Sequence, residues 1–290
     1  MEIQSLSVCV PCGCPNSCKF CVSRMHDNLY PNMIENCRSE RYGDTFRYID
    51  RLEYARDNGV HCLILTGTGE PMMNPKFLTW FGGINKTLSS PFRHIEIQTS
   101  GIEVVENIEL LQVVGVQTVS LSLSSLDSYQ NELINGIKKE HAFHIGTMCR
   151  KIKYHDFNLR LSLNMSDAFN DVSPEEIFEQ AKKLEADQIT FRQLWGDGSG
   201  SPQDKWIQEH PFDEFGGIED YIHEHGMALH KLSFGATKYD VHGISVVIDD
   251  DCMADGALRT DELRSSLKYL ILRPDCRLYS QWQYKGSLIY

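Results

Sequence analysis

Up to about Trp195, short apolar runs alternate with stretches whose apolar positions fall at helical spacing. The short runs predict strands at residues 5–10, 61–66, 94–99, 118–123, 158–164 and 188–194. The helical stretches fall at residues 44–58, 74–88, 104–114, 141–155 and 174–186. The last has a full start signal, with Ser173 as N-cap, Pro174 in the first helical position and Glu176 three residues after the cap. Strand followed by helix, repeated, predicts parallel βαβ units in an α/β fold. Six strands are too few for a closed eight-stranded barrel, so the pattern suits a partial barrel or a doubly wound sheet.

The alternation stops at the Gly- and Ser-rich stretch Gly196-Asp-Gly-Ser-Gly-Ser-Pro202. Beyond it the pattern predicts a helix at 215–225 and two hairpins. Residues 238–241 and 244–249 flank His242-Gly243, and residues 268–272 and 277–282 flank Pro274-Asp275. The expected organisation is a core over residues 1–195 and a small β-rich C-terminal cap over residues 196–290. No internal repeat or low-complexity tract is present.

The chain has 290 residues, enough to bury a full core, and its 28 Lys and Arg against 40 Asp and Glu give a net charge of −12. That balance disfavours a broad nucleic-acid footprint or a role on anionic membranes, and leaves only a local basic groove open. No apolar run reaches the roughly 20 residues needed to span a bilayer. The N-terminal stretch MEIQSLSVCVPCGC has no basic flank and no long apolar core, so a cytoplasmic location is expected rather than export. In a reducing compartment, ten cysteines read as metal ligands, catalytic groups or small core residues rather than as a disulfide framework.

Their distribution narrows the choice, because five of the ten lie between Cys9 and Cys21. Cys14-Pro-Asn-Ser-Cys18-Lys-Phe-Cys21 is a C-x3-C-x2-C triplet. Three thiolates from one loop can hold three irons of a cubane and leave the fourth open to another ligand, whereas electron-transfer clusters use four cysteines. A zinc loop is the alternative, but this is not the usual zinc spacing and no His pair follows at finger distance. Cys9, in the first strand, reads as a core residue. Cys12 could compete for iron, although its spacing to Cys14 fits poorly. His26 reads equally as an active-site neighbour or a plain loop residue, and the other histidines show no metal spacing.

This loop resembles that of the radical S-adenosylmethionine (SAM) enzymes, and the resemblance extends over about residues 5–195. The family's loop is C-x3-C-x-aromatic-C after the first strand, and Phe20 supplies the aromatic, which in the family lies against the adenine of SAM. A Gly-Gly-Glu-Pro motif follows the family's second strand and binds the methionine amino group. Here Thr66-Gly-Thr-Gly-Glu-Pro71 stands in that register; Thr68 replaces the first glycine, while Gly69, Glu70 and Pro71 match. Further motifs resemble the branch of the molybdenum-cofactor cyclic-nucleotide enzyme. They are Gln98-Thr-Ser-Gly101, Ser120-Leu-Ser-Leu-Ser-Ser-Leu-Asp127, Asn164-Met-Ser-Asp-Ala-Phe-Asn-Asp171 and Phe191-Arg192. By that resemblance Ser122 and Ser124, which strand alternation puts on one face, would face the ribose or the methionine carboxylate, and Asn164 and Arg192 would also contact SAM. That branch carries a second cluster on a C-terminal cysteine triplet. This tail has only Cys252 and Cys276, so no second cluster is expected, and either cysteine reads as a packing residue or a hydrogen-atom donor.

The resemblance implies a partial (β/α)6 barrel, one [4Fe-4S] cluster held by Cys14, Cys18 and Cys21, and SAM as cofactor. It also implies a one-electron donor such as flavodoxin or ferredoxin, and hydrogen abstraction by a 5′-deoxyadenosyl radical. The residues that act on the substrate are not legible. A small metabolite or nucleotide is the expected substrate. A peptide-modifying maturase of a ribosomal precursor is the alternative, favoured by an open cavity or a bare sheet edge. A non-catalytic iron–sulfur or zinc module is a third reading, which the register of Gly69-Glu70-Pro71 and the presence of Phe20 oppose.

Overall fold

The computed structural model describes residues 2–25, 45–232, 236–248, 266–282 and 285–290. His26, Cys37 and Cys252 lie outside the described residues. The strands run β1 (Glu2–Cys9), β2 (Cys62–Thr66), β3 (His94–Thr99), β4 (Thr118–Leu123), β5 (Asn158–Met165), β6 (Gln188–Gln193), β7 (Gly226–Lys231), β8 (Thr237–Val241), β9 (Ile244–Ile248), β10 (Ser266–Leu272) and β11 (Leu278–Tyr279). The helices are α1 (Val22–Met25), α2 (Thr45–Asp57), α3 (Pro75–Thr87), α4 (Ile108–Val114), α5 (Ser128–Asn135), α6 (Ile145–Tyr154), α7 (Pro174–Lys183), α8 (Pro202–Glu209) and α9 (Phe215–His225). The chain divides into two compact units. One comprises Met1–Pro15, His26–Val119 and Asp261–Tyr290, and the other comprises Asn16–Met25 and Ser120–Thr260.

In the first unit the strand order is β11-β10-β1-β2-β3. β1 pairs in parallel with both β2 and β10, and β2 in parallel with β3. β1 is buried on both faces, with Leu6 and Val8 fully enclosed and Ser5 and Ser7 nearly so, as expected for a central parallel strand. The Ser5 hydroxyl is satisfied there by the carbonyl of Lys268, at 3.2 Å. Cys9 is buried in a cluster with Ile271 and Tyr279. α3 starts where the sequence signals it, since the Asn74 side chain accepts from the N–H of Phe77 at 3.0 Å. α4 starts at Ile108, later than the apolar pattern suggests. Gly101 and Glu103 both take positive φ, and residues 101–107 turn instead of winding into the helix.

In the second unit β5 and β6 pair in parallel, β9 joins β6 in parallel, and β8 and β7 continue antiparallel. The expected hairpin at His242-Gly243 is present, with both residues at positive φ, the combination a tight two-residue turn requires. The second tail hairpin, β10–β11, is antiparallel as expected. Both tail hairpins also extend parallel core strands, β10 against β1 and β9 against β6. α7 begins as its start signal requires, with the Ser173 hydroxyl oxygen accepting from the N–H of Glu176 at 3.2 Å. No helix among the described residues is long and apolar enough to cross a membrane.

Candidate functional site

In the first unit the turns after β1, β2 and β3 converge on Glu70. Its side chain is 3% exposed. Oε1 accepts from the Thr99 hydroxyl at 2.7 Å and from the Met72 N–H at 3.3 Å, while Oε2 accepts from the Ser100 N–H at 2.7 Å and the Ser100 hydroxyl at 2.6 Å. Burial pushes the Glu70 carboxyl above its usual range, and the four hydrogen bonds pull against that rise without cancelling it. The main-chain N–H of Glu70 donates to the Gly13 carbonyl at 3.1 Å. Gly69 lies so close to the same turn that an added Cβ would run into the Cys12 carbonyl and lie 2.7 Å from that of Gly13. Gly69 is therefore demanded by the backbone immediately before Cys14. Pro71 is buried and opens a short 3₁₀ turn capped by Glu70. Cys14 is exposed and outside any disulfide.

In the second unit the segment 16–25 carries Cys18 and Cys21, both half-buried and outside any disulfide. Phe20, between them, is buried in an apolar cluster with Met25, Ile134, Leu194 and Ile207, and its ring packs against Trp206 at 5.9 Å between centroids. Trp206 in turn stacks on His210, whose Nδ1 lies 2.7 Å from the Asp167 carboxylate just after β5. Ser122 lies on β4 and Ser124 just past its end, and Asn164 of β5 donates to both, at 3.1 and 3.4 Å. Ser122 is half-buried, whereas Ser124 and Asn164 are buried. Arg192, half-buried on β6, donates to the Ser162 hydroxyl.

α5, which the apolar pattern does not predict, carries two buried amides, Asn131 and Asn135. The signal was an Asn pair four residues apart followed by Gly136. Among the described residues no three His, Cys, Asp or Glu side chains stand together as a ready metal cage. Cys14 is exposed in the first unit, where Gly13 beside it accepts from Glu70 N–H; in the second unit Cys18 and Cys21 are half-buried on a segment whose Ser17 and Lys19 N–H groups are bonded.

The sequence matches the Radical SAM superfamily over residues 8–166, more than half of its length. The chain belongs to the radical SAM superfamily. It is thus an enzyme of a group that works with a [4Fe-4S] cluster and SAM. No curated protein matches it in sequence. Among solved structures it is similar to the radical SAM methyltransferase TsrM of Kitasatospora setae with tryptophan and a SAM analogue bound. That likeness has 14% identity and a TM-score of 0.45, over 72% of this chain and 39% of TsrM. TsrM with cobalamin and a [4Fe-4S] cluster bound gives 13% identity and a TM-score of 0.40, over 65% and 36%. The hydroxymethylglutaryl-CoA lyase of Bacillus subtilis gives 10% and 0.38, over 72% and 63%. The chain thus spans about two fifths of TsrM's length.

Proposed function

We propose that this radical SAM enzyme acts on a small metabolite or nucleotide, with Cys14, Cys18 and Cys21 as the three thiolate ligands of a single cluster. Residues 1–195 would carry the chemistry and residues 196–290 the extension. Held by Cys14, Cys18 and Cys21, a cluster would supply the single electron for reductive cleavage of the SAM carbon–sulfur bond, the chemistry that yields methionine and a radical able to take hydrogen from a substrate. The chain's own residues hold and orient. Glu70 fixes the turns after β1, β2 and β3 and so sets the backbone that leads into Cys14. Gly69 keeps that approach close. Half-buried Ser122 and Arg192 would meet the ribose or carboxylate of SAM, with Asn164, which donates to both Ser122 and Ser124, orienting Ser122. Phe20 contributes the wall near the adenine, backed by Trp206.

The observation that carries this reading is the anchoring of the cysteine segment. Glu70 N–H holds Gly13 next to Cys14 in one unit, and in the other the N–H groups of Ser17 and Lys19, beside Cys18, are held by carbonyls at the end of α5. Electrons would come from flavodoxin or ferredoxin in the cytoplasm, and the acidic balance of the chain speaks against nucleic acid as partner. The test is anaerobic reconstitution of Cys14→Ala, Cys18→Ala and Cys21→Ala. Each should lose most of its iron and its sulfur-to-iron absorbance, and normal iron in Cys18→Ala would remove the assignment.

One observation favours the peptide-maturase reading. Strand β7 is the last strand of the second unit's sheet and exposes Met227 and Leu229, an edge of the kind that an extended peptide pairs with. Binding of SAM-competent enzyme to candidate precursor peptides, with and without Met227→Lys, separates the two readings.

A further inference from the structure

We propose that Asn135 is a positioning residue that ties the segment bearing Cys18 and Cys21 to the polar row of Ser122, Ser124 and Asn164. The proposal rests on the reading of those cysteines as cluster ligands.

The end of α5 does two jobs at once. A helix leaves its last carbonyls without intrahelical partners. Here they are taken by the cysteine segment, with Lys19 N–H donating to Ile134 O at 3.1 Å and Ser17 N–H shared between Asn135 O and Gly136 O at 3.2 and 3.3 Å. Gly136 sits in the left-handed region, at φ 56°. An added Cβ would collide with the Ser17 hydroxyl and lie 2.9 Å from the Ser17 carbonyl, so this close seat requires glycine.

The side chain of the same Asn135 faces the other way along the network. Its Oδ1 accepts from the Ser124 hydroxyl at 2.9 Å, and its Nδ2 donates to Asn131 Oδ1 at 2.8 Å. Asn131 Oδ1 also accepts the main-chain N–H of Ser124, at 2.8 Å. Asn164 closes the row by donating to Ser122 and Ser124. Ser124, Asn131, Asn135 and Asn164 are each at most 3% exposed, and half-buried Ser122 is the member of the row that reaches the surface.

A buried amide network holds its geometry only while each member keeps its partners. A ligand that engages Ser122 competes for Asn164, Asn164 shifts its hold on Ser124, and Ser124 is bonded twice to the amides of α5. Asparagine is a poor helix former, and apolar residues would fill positions 131 and 135 at less cost to the helix. Two amides there are explained by the link they make. The result is a hydrogen-bonded route from Ser122, at the strand end proposed to meet SAM, to the backbone that carries Cys18 and Cys21.

The test is a double-mutant cycle on reconstituted full-length protein without SAM, comparing wild type, Ser122→Ala, Asn135→Ala and the double variant. Two readouts are taken: the rate at which a ferrous chelator strips iron, and the electron paramagnetic resonance spectrum of the reduced cluster. Asn135→Ala should speed iron release, and the effect of Ser122→Ala on that rate should differ between the two backgrounds by about threefold or more, the size expected for coupled neighbours. Ser122→Ala should change the rate and the g values in the wild-type background and leave both unchanged in Asn135→Ala. Rates that simply multiply, with spectra that shift independently, overturn the coupling. If Asn135→Ala does not fold, Ser124→Ala takes its place in the cycle with the same expectation, because its hydroxyl is the link. A wild-type chain that binds no iron overturns the ligand reading and the proposal with it, whereas iron-loaded protein with multiplying rates overturns the coupling alone.

Discussion

Substituting Glu70→Gln probes the junction of three turns with the smallest change of shape. Each carboxylate oxygen faces a main-chain N–H, Met72 on Oε1 and Ser100 on Oε2. Whichever oxygen becomes the amide nitrogen of glutamine then points a donor at a donor. At least one main-chain hydrogen bond is lost, either the buried one from Met72 or the half-buried one from Ser100. Stranding a buried donor costs about 1–3 kcal/mol. For a chain of 290 residues, a loss of about 2 kcal/mol corresponds to a drop of about 3 °C in melting midpoint. Anaerobic thermal melts of wild type and Glu70→Gln measure the drop, and SAM titration of the same samples measures the affinity, which should fall as the turn before Cys14 loosens. The deficit should also depend on pH. Burial raises the folded-state pKa of Glu70, so the native state holds the proton more tightly than the unfolded chain. The carboxyl's contribution to stability is full below its unfolded pKa and is lost as pH rises through the folded value. Glutamine does not titrate, so the gap between the two proteins should narrow as the buffer moves from acidic to alkaline. Equal melting midpoints together with equal SAM affinity would refute the role given to Glu70.

Gly69→Ala should reduce iron loading, because the new Cβ meets the carbonyls of Cys12 and Gly13. Gly83→Ala, which has nothing within 4 Å of its new Cβ and lies inside α3, should load normally and melt slightly higher, and iron assay with thermal melts compares the pair. Phe20→Ala should cost about 3–5 kcal/mol through the cavity left against Trp206, Ile134 and Ile207, while Phe20→Leu should retain most of the stability; melts that do not separate the two would contradict the buried placement of this ring. Cys276→Ala should leave iron at about four per chain, the content of one cubane, because Cys276 is a buried side chain in the β10–β11 turn.

The strands were legible because parallel strands buried on both faces, such as β1 with Leu6 and Val8, read as apolar runs bounded by turn residues. Cys14, Cys18 and Cys21 were legible because ligand spacing within one loop is a local property. What lay beyond reach was non-local or polar. α5 buries Asn131, Ile134 and Asn135, a face that hydrophobic periodicity scores as exposed. α8 was hidden similarly, since its buried face includes Asp204, whose carboxylate accepts from the N–H groups of Gly198 and Gly200. That carboxylate organises the glycine-rich stretch that reads as plain loop. The Gly69-Glu70-Pro71 register was visible in sequence, but Glu70's donors, Thr99 and Ser100, come from the end of another strand. The parallel seats of β9 beside β6 and β10 beside β1 join residues far apart in the chain, and no local pattern announces them.

The central claim is tested most directly by reducing the anaerobically reconstituted protein in the presence of SAM and measuring 5′-deoxyadenosine and methionine, with Cys14, Cys18 and Cys21 each replaced by alanine in parallel. The account predicts both products in equal amounts from the wild-type chain, together with a change in the cluster's paramagnetic resonance spectrum when SAM is added, and neither from any of the three variants. An iron-loaded wild-type protein that leaves SAM intact and whose spectrum ignores it, or a cysteine variant that cleaves SAM at the wild-type rate, would contradict it.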